Sequence, residues 1–250
     1  MPKRRARLTS AIAHSTPDRI TVRGLDLCHD ILGRMSFGDM AFLQITGRRP
    51  DARESRMFDA LVVTLVEHGV TPSALAARLT YLGAPEALQS AVAAGLCGLG
   101  TVFVGSMETA ARMLQEAPPG EPDEVARAIV ERLRAEGALV PGLGHPLHKP
   151  VDPRAPRLFE IAAEEGFDGR HGALMRAVER EVARGGRSLP INATGAIAAI
   201  ASDMGLPWRV VRGLGVMARA VGLVGHLLEE TDEPMAFEIW QRVEEEVGRG

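Results

Sequence analysis

Helical periodicity runs through almost the whole chain and restricts the folds that it can adopt. Apolar residues recur at spacings of three and four in segments rich in Ala, Leu, Glu and Arg, which are good helix formers. Residues 19–24 (RITVRG) are the one convincing extended segment. The pattern therefore predicts an all-α protein of about ten helices. An apolar stripe at residues 58–66 marks one of them, and the others are predicted at residues 37–46, 73–82, 85–99, 107–117, 121–136, 155–165, 171–184, 193–204, 207–230 and 234–247.

Two shifts in composition suggest how the chain is organised. They fall at APPGEPDE and ARGGRSLPINATG, and the region between them is more charged than its flanks. We interpret this region as part of a smaller helical domain, residues 107–205, inserted between two parts of a larger helical domain, residues 1–106 and 206–250. A cleft between two such domains is a natural place for a ligand.

Charge and cysteine content restrict the partners and the compartment. The net charge of -3 gives no support for a nucleic-acid-binding face. Cys28 and Cys97 lie in apolar surroundings without metal-ligand spacing, which is typical of a reducing compartment. The basic start MPKRRARLTS lacks the apolar segment of a secretory signal. We therefore predict a cytoplasmic protein with neither nucleic acid nor membrane as a partner.

The most unusual segment is the loop at residues 141–154 (PGLGHPLHKPVDPR). Its four prolines and two glycines exclude a regular helix or strand, yet it carries two histidines, a lysine and an arginine. Fixed φ values and small side chains are suited to holding a reactive group such as His145 rigidly while a ligand approaches the backbone. The same composition is also typical of an ordinary connection between helices, so the loop alone leaves both interpretations open.

Three further side chains lie where their chemistry needs an explanation. His68 precedes Gly69 at a helix end, where a histidine either caps the helix or faces a cleft. Arg219 lies in an otherwise apolar helix, so either an Asp or Glu pairs with it or it binds a ligand carboxylate. We interpret His226 as a hydrogen-bonded core histidine. The motifs of nucleotide-binding folds, zinc proteases and serine hydrolases are absent, so this set indicates acid–base chemistry on an anionic substrate.

Several of these segments together resemble the citrate synthase superfamily. GLGHPLHKPVDPR is similar to that family's loop G-x-G-H-x-x-x-x-x-x-D-P-R, and MARAVGLVGHLLEE to its R-x-x-G-x-x-x-H segment. LVEHGVTPSALAARL is similar to the family's first-histidine helix, and residues 19–50 match the region that opens these folds. The resemblance runs from about residue 10 to residue 247. It implies an all-α, citrate synthase-like, oligomeric protein with two domains and the active site in the cleft between them.

Two departures from the family pattern refine this resemblance. Citrate synthases carry a second histidine where GTVFVGSMETAARML has Phe103, and an aromatic residue there is a feature of the citryl-CoA lyase branch, which includes the C-terminal module of ATP-citrate lyase. In LPINATGAIAAI, Asn192 and Gly195 match the N-V-D-G pattern of the lyases, but Thr194 replaces its aspartate. The first departure favours a lyase, and the second removes a carboxylate from the expected mechanism.

The resemblance also implies roles for the matched residues. In the cleavage direction His145 would accept the proton of a tertiary hydroxyl, while His68 would hydrogen-bond the ketone oxygen or a carboxylate. Arg154 and Arg219 would bind carboxylates of the substrate, with Phe103 also among the substrate-binding residues.

The remaining matched residues fall into two groups. Asn192 and Thr194 would complete the catalytic set, although a threonine hydroxyl cannot protonate an enolate carbon at neutral pH. Four loop residues would lie along the CoA arm: Gly142, Leu143, Gly144 and Lys149.

These implications define the expected function. We predict a citryl-CoA lyase-like enzyme that cleaves a 3-hydroxy-acyl-CoA to acetyl-CoA and a keto acid such as oxaloacetate. The alternatives are a condensing acyltransferase of the citrate synthase type and a paralogue that binds CoA thioesters without turnover. The expected ligands are a CoA thioester and a keto acid, with no permanently bound cofactor and no metal, in a homodimer or higher homo-oligomer.

Overall fold

The computed structural model describes residues 8–249; residues 1–7, which include most of the basic start, and residue 250 lie outside the described residues. The chain divides into two compact units, residues 1–59 and 60–250. The expected division at residues 107 and 206 stays a prediction. The all-α prediction is confirmed, because 63% of the residues are helical and 4% lie in strands.

The first unit combines a small sheet with helical segments. Three antiparallel strands pair in the order β1 (Ala13–Ser15), β2 (Ile20–Val22) and β3 (Leu25–Asp26), and a π-helical turn follows at Leu27–Ile31. Helix α1 (Phe37–Thr46) begins with a capping box between Ser36 and Asp39 and ends at Gly47, where φ is +81°. Helix α2 (Ala52–Val66) begins in this unit.

A few apolar side chains form the core of this unit. Val22, Ile31 and Leu43 are buried together. The rings of Phe42 and Phe58 meet edge to face with their centroids 5.4 Å apart. Phe58 extends the core to α2, so the apolar stripe read from the sequence is the buried side of this helix.

The second unit contains the remaining helices of the described residues. They are α3 (Pro72–Gly83), α4 (Leu88–Cys97), α5 (Gly105–Gln115), α6 (Pro122–Ala135), α7 (Arg154–Glu165), α8 (Arg170–Arg184), α9 (Ala193–Asp203), α10 (Trp208–Asp232) and α11 (Ala236–Val247). Helix α9 is central, because it packs against α5, α7, α8 and α10 and nearly all of its residues are buried. Helix α10 also packs on α3, α4 and α5.

Most predicted helices agree with these bounds to within about two residues, a margin that helix ends commonly show. The prediction for residues 85–99 was too long, because Pro85 lies in a turn and α4 begins only at Leu88. The prediction also missed β1 and β3, which are two or three residues long and too short to carry an alternating pattern.

Helix α10 also meets the criteria for a membrane span by length and composition alone. About 44% of its apolar stretch is buried inside the protein. It also carries buried Arg219, His226 and Glu230 toward neighbouring helices. These features are typical of a core helix, which passes the same test.

Candidate active site

The proline-rich loop at residues 141–154 is fixed against the start of α9. Gly142 has φ of +84°, and a Cβ added there would lie 2.7 Å from the Cα of Gly195. A Cβ on Gly195 would in turn lie 2.3 Å from the carbonyl oxygen of Gly142. Both positions therefore require glycine because two backbones touch, which explains these two residues without a ligand.

Hydrogen bonds complete this junction between the loop and α9. The backbone N–H of Asn192 donates to the Gly142 carbonyl (3.0 Å), and the Gly144 N–H donates to the Pro190 carbonyl (2.7 Å). The side-chain amide of Asn192 donates to the Gly144 carbonyl. An isolated bridge pairs Leu143 with Ile191. The expected contacts of Gly142, Leu143 and Gly144 with CoA stay predictions, and the backbone groups named here already have partners.

Asn192 and Thr194 form the N-terminal cap of α9. The Asn192 Oδ1 accepts from the backbone N–H of Gly195 (3.0 Å) and from the Thr194 hydroxyl (2.7 Å). Both side chains therefore do structural work, and their expected place in the catalytic set stays a prediction. The hydrogen bond to Asn192 therefore uses the only proton of the Thr194 hydroxyl.

Asp152 holds Arg154 in a defined orientation. The guanidinium donates through Nε (3.0 Å) and Nη2 (2.9 Å) to the two oxygens of a carboxylate that is almost fully buried. Asp152 also accepts from the Ala193 N–H at the first residue of α9 (2.9 Å). Burial alone would raise the Asp152 pKa, but the hydrogen bonds from Arg154 and Ala193 outweigh it and lower this pKa to about 2. The Nη1 of Arg154 is not used by these bonds and is the part of the fork left for a ligand.

Three half-buried histidines meet beside this loop. The Nε2 atoms of His68 and His148 are 2.9 Å apart, so these two rings share a hydrogen bond. The His145 and His148 rings stack with centroids 4.4 Å apart, and His68 meets both rings nearly edge-on at 5.3 and 5.1 Å. His68 lies two residues beyond the end of α2, and its side chain is hydrogen-bonded to His148.

Burial and positive surroundings disfavour the charged forms of His68 and His145. Burial lowers the pKa of His68, and the charges of Arg154, His148 and Arg219 lower it further, against the opposite effect of Asp152. Burial and the neighbouring His148 likewise lower the pKa of His145. Neutral imidazoles at pH 7 can act as both proton donors and proton acceptors.

The loop backbone selects the tautomer of His145. Its Nδ1 accepts the backbone N–H groups of Leu147 (3.1 Å) and His148 (3.0 Å). A nitrogen that accepts two hydrogen bonds carries no proton, so the neutral ring has its proton on Nε2. His145 therefore presents a donor through Nε2, whereas the resemblance implied a ring that accepts a proton from the substrate.

Glu67 organises the opposite side of the histidine cluster. Its Oε1 accepts from the backbone N–H of His68 (2.8 Å), from Nε2 of His226 (3.1 Å) and from Nη1 of Arg219 (3.2 Å). Of the two alternatives for Arg219, internal pairing is the one observed. The prediction for His226 as a hydrogen-bonded core residue is confirmed.

The R-x-x-G-x-x-x-H spacing of α10 now has a structural explanation. Arg219 and His226 both bind Glu67, and Gly222 lies between them on the same helix. A Cβ on Gly222 would lie 2.1 Å from the Val66 carbonyl oxygen and 2.8 Å from Oε2 of Glu67. Only a glycine allows the segment that carries Glu67 to lie this close to α10.

A buried arginine extends this network away from the histidines. Arg78 on α3 is fully buried and donates to Glu230 (2.6 Å), to Glu229 and to Nδ1 of His226 (3.0 Å). Because Nδ1 of His226 accepts this bond, its neutral ring has the proton on Nε2 and donates it to Glu67. The two buried charges of Arg78 and Glu230 thus pair with each other, which is the condition for burying charged groups without a large cost.

Two expected site residues are not joined to this cluster. Phe103 lies in the turn before α5 with 47% of its surface exposed, and no ring contact or hydrogen bond among the described residues links it with the histidines. Lys149 is exposed on the loop. Their binding roles stay predictions.

Three residues of the cluster were missed by sequence reasoning. They are His148, Glu67 and Asp152. The signals were present, because Glu67 precedes His68, and Asp152 and His148 lie in the same loop as His145. Their partners lie on other elements, however, and single-sequence patterns do not report such contacts.

Comparisons with known proteins agree with this fold. The family described as "Citrate synthase, C-terminal domain" matches residues 6–240. The structure of citryl-CoA lyase from Hydrogenobacter thermophilus is similar with a TM-score of 0.83 and 35% identity, over 92% of this chain and 89% of that chain. A variant of Methanosaeta concilii ATP citrate lyase in complex with (3S)-citryl-CoA has a TM-score of 0.77 and 22% identity, over 92% of this chain and 40% of that chain.

A curated relative comes from the synthase side of the family. The citrate synthase of Heyndrickxia coagulans is 24% identical over 207 residues, which are 81% of this chain and 54% of that protein. The chain spans about half or less of the length of the first curated relatives that it matches. With most of its length matched by one family and a solved citryl-CoA lyase at 35% identity, the chain belongs to the citrate synthase C-terminal domain family.

Proposed function

We propose that this protein is a carbon–carbon lyase that cleaves a 3-hydroxy-acyl-CoA, citryl-CoA or a relative of it, to acetyl-CoA and a keto acid such as oxaloacetate. The observation that carries the proposal is the meeting of His68 and His145 beside Arg154, with Arg219 held close by through Glu67. Imidazoles and guanidiniums in one site suit a substrate with free carboxylates whose reaction moves protons.

The proposed cleavage balances without an added reactant. The hydroxyl group gives its proton to water, and the adjacent C–C bond breaks as that oxygen becomes a ketone. The electron pair of the bond passes to the carbon next to the thioester, and this carbon then gains a proton. The Nε2–H of His145 donates to the oxygen while negative charge is on it, which stabilises the alkoxide from which the bond breaks.

The two arginines have different parts in this proposal. Arg154 offers Nη1 to a substrate carboxylate, while Asp152 fixes the plane of the guanidinium. Arg219 is held by Glu67 and contributes positive charge near His68. The complex of a related ATP citrate lyase with citryl-CoA supports a CoA thioester as the ligand class.

We also propose a cytoplasmic homo-oligomer, at least a dimer. Val221, Val224 and Leu228 are exposed on α10 at spacings of three and four residues, so they form an apolar stripe on the outer side of a helix whose other side is core. Light scattering on purified protein tests the assembly: a monomer at micromolar concentration refutes it.

Incubation with citryl-CoA, followed by mass spectrometry of the thioesters, tests the reaction. The expected result is loss of citryl-CoA with formation of acetyl-CoA. Acetyl-CoA plus oxaloacetate in a parallel sample detects a condensing acyltransferase, which would yield citrate and free CoA. Binding of both ligands without turnover in either direction would identify a non-catalytic CoA-thioester-binding protein, for which the replacement of the family aspartate by Thr194 is the argument.

A further inference from the structure

His148 touches both other histidines of the site, and neither the sequence patterns nor the resemblance gave it a role. Its Nε2 lies 2.9 Å from Nε2 of His68, and its ring stacks on that of His145. Its backbone N–H also donates to Nδ1 of His145. The side chain of His148 thus acts on His68, while its backbone fixes His145.

A hydrogen-bonded pair explains this geometry better than a metal ion does. The candidate ligand atoms of the three histidines lie within 4.8 Å of one another, as in a zinc site with three histidines. Two nitrogens on tetrahedral zinc are about 3.3 Å apart, however, whereas the Nε2 atoms of His68 and His148 are 2.9 Å apart. In addition, Nδ1 of His145 accepts two N–H groups, so its Nε2 carries a proton and is not a ligand.

The charges around the cluster also oppose a cation. His68 faces positive charge from Arg154 and Arg219 as well as from His148 when it is protonated. The negative charge of Asp152 is bound by Arg154, and that of Glu67 is bound by Arg219.

An Nε2 to Nε2 hydrogen bond fixes the tautomers of the two rings as a set. When both rings are neutral, one ring donates through Nε2–H and has an unprotonated Nδ1. The other ring accepts at Nε2 and therefore carries its proton on Nδ1. The pair thus presents one acidic and one basic Nδ1 at its two ends.

Such a pair can pass a proton without becoming charged. When Nδ1–H of His68 gives its proton away, Nε2–H of His148 moves across the hydrogen bond to His68. Water then supplies a proton to Nδ1 of His148, which is half-buried and lies among exposed loop residues. One proton leaves at His68 and one enters at His148, so the net charge of the pair is unchanged.

We propose that His148 is the proton partner of His68, and that this pair moves the proton between water and the carbon next to the thioester. This inference rests on the proposed function, because it assigns the proton transfer of that same reaction. The site needs such a group because the hydroxyl of Thr194 donates to Asn192 and has no carboxylate chemistry. His68 is the inner ring, since it faces the guanidiniums, and His148 is the outer ring.

Two substitutions of His148 separate proton transfer from structure. His148→Gln retains an N–H that can donate to His68 but cannot pass a proton on. His148→Ala leaves a space that free imidazole can fill. His14→Gln is the matched control, because His14 is an exposed histidine on β1.

The measurements are cleavage of citryl-CoA and incorporation of deuterium from D₂O into the methyl group of acetyl-CoA in the presence of a keto-acid analogue. Both rates should fall by about 10²-fold or more in His148→Gln and His148→Ala, with KM changed by less than about twofold. Added imidazole should restore exchange in His148→Ala but not in His148→Gln, and His14→Gln should match the wild type.

Other results would overturn the inference. Wild-type rates in both variants, or slow rates that imidazole does not restore, would leave His148 without a role in proton transfer. Loss of wild-type activity with a chelator and its return with Zn²⁺ would identify a metal site instead. If the wild type binds both ligands without turnover, the proposed function has failed. The ¹⁵N signals of the His68 and His148 rings then still decide whether the pair exists, because two rings with the same tautomer cannot form it.

Discussion

Adding one methyl group at Gly222 tests whether the clamp on Glu67 supports both the fold and the site. A Cβ at this position would lie 2.1 Å from the carbonyl oxygen of Val66, whereas carbon and oxygen normally approach to about 3.3 Å. The segment that carries Glu67 must therefore move by about 1 Å. Gly213 on the same helix is the matched control, because it is exposed and a Cβ there meets nothing within 4 Å.

Both substitutions gain helix propensity, but only one of them overpacks the protein. Replacing an interior helical glycine by alanine stabilises a helix by up to about 1 kcal/mol, which both variants gain. Overpacking costs about 1 to 3 kcal/mol, and only Gly222→Ala incurs it. We therefore expect Gly222→Ala to melt below Gly213→Ala by about 2 to 12 °C, since 1 kcal/mol corresponds to about 2 to 4 °C for a chain of this size.

Activity provides the second measurement for this pair. Glu67 binds the backbone of His68 and the guanidinium of Arg219, so its displacement misplaces both. A shift of about 1 Å can lower turnover by about 10²-fold. Calorimetric melting and citryl-CoA cleavage are measured on the wild type and both variants. Equal melting temperatures for Gly222→Ala and Gly213→Ala, together with equal rates, would refute the role of the clamp.

Four further changes test individual residues of the site. His145→Ala should lower turnover by about 10²-fold or more with the fold intact; near-wild-type turnover would remove His145 from the mechanism. Arg154→Lys keeps the charge but loses the planar fork, so calorimetry should show oxaloacetate binding weakened by about 1 to 3 kcal/mol, and equal affinity would contradict a role in carboxylate binding. The Asp152 pKa is lowered to about 2, so the ionised carboxylate contributes about 2 kcal/mol to the free energy of unfolding. This contribution is complete above pH 4 and is lost as the pH falls toward 2. Asp152→Asn should therefore lower the free energy of unfolding at pH 7, and it should reduce the loss of stability between pH 4 and pH 2. Urea titrations measure both quantities, and a loss of stability equal to that of the wild type between pH 4 and pH 2 would argue against this role. Thr194→Asp should accelerate exchange of the acetyl-CoA methyl protons with D₂O by about tenfold or more above the rate that the His68–His148 pair gives in the wild type, and an unchanged rate would show that a carboxylate at this position does not reach the methyl carbon.

The helices were predictable because their signals are local. Ser36 and Asp39 form the capping box that the first predicted helix requires, and Gly166 ends α7 in the left-handed conformation. The start of α2 was not found, since the apolar stripe begins only at Phe58, six residues after the helix does. Of the three short strands of the first unit, only β2 lies in the segment that was predicted as extended, and β1 and β3 carried no usable pattern.

The candidate site was predictable only in part, because its roles depend on distant partners. The sequence indicated that His68, His145, Arg154 and Arg219 belong to one site, and the structure brings them together around the loop. It did not indicate that Arg219 pairs with Glu67, a residue 152 positions away. His148 and His68 are in contact although they are 80 positions apart in the sequence, and no helical or strand periodicity relates them.

The tautomer of His145 shows how a backbone can determine chemistry that side-chain identities leave open. A histidine in a glycine- and proline-rich loop is equally able to donate or to accept a proton. In this loop the N–H groups of Leu147 and His148 both face Nδ1, so the donor role at Nε2 is set by the turn itself. If His145 donates to the oxygen, a different group must move the proton to and from carbon. The exchange of the acetyl-CoA methyl protons with D₂O therefore tests both this requirement and the pairing of His68 with His148.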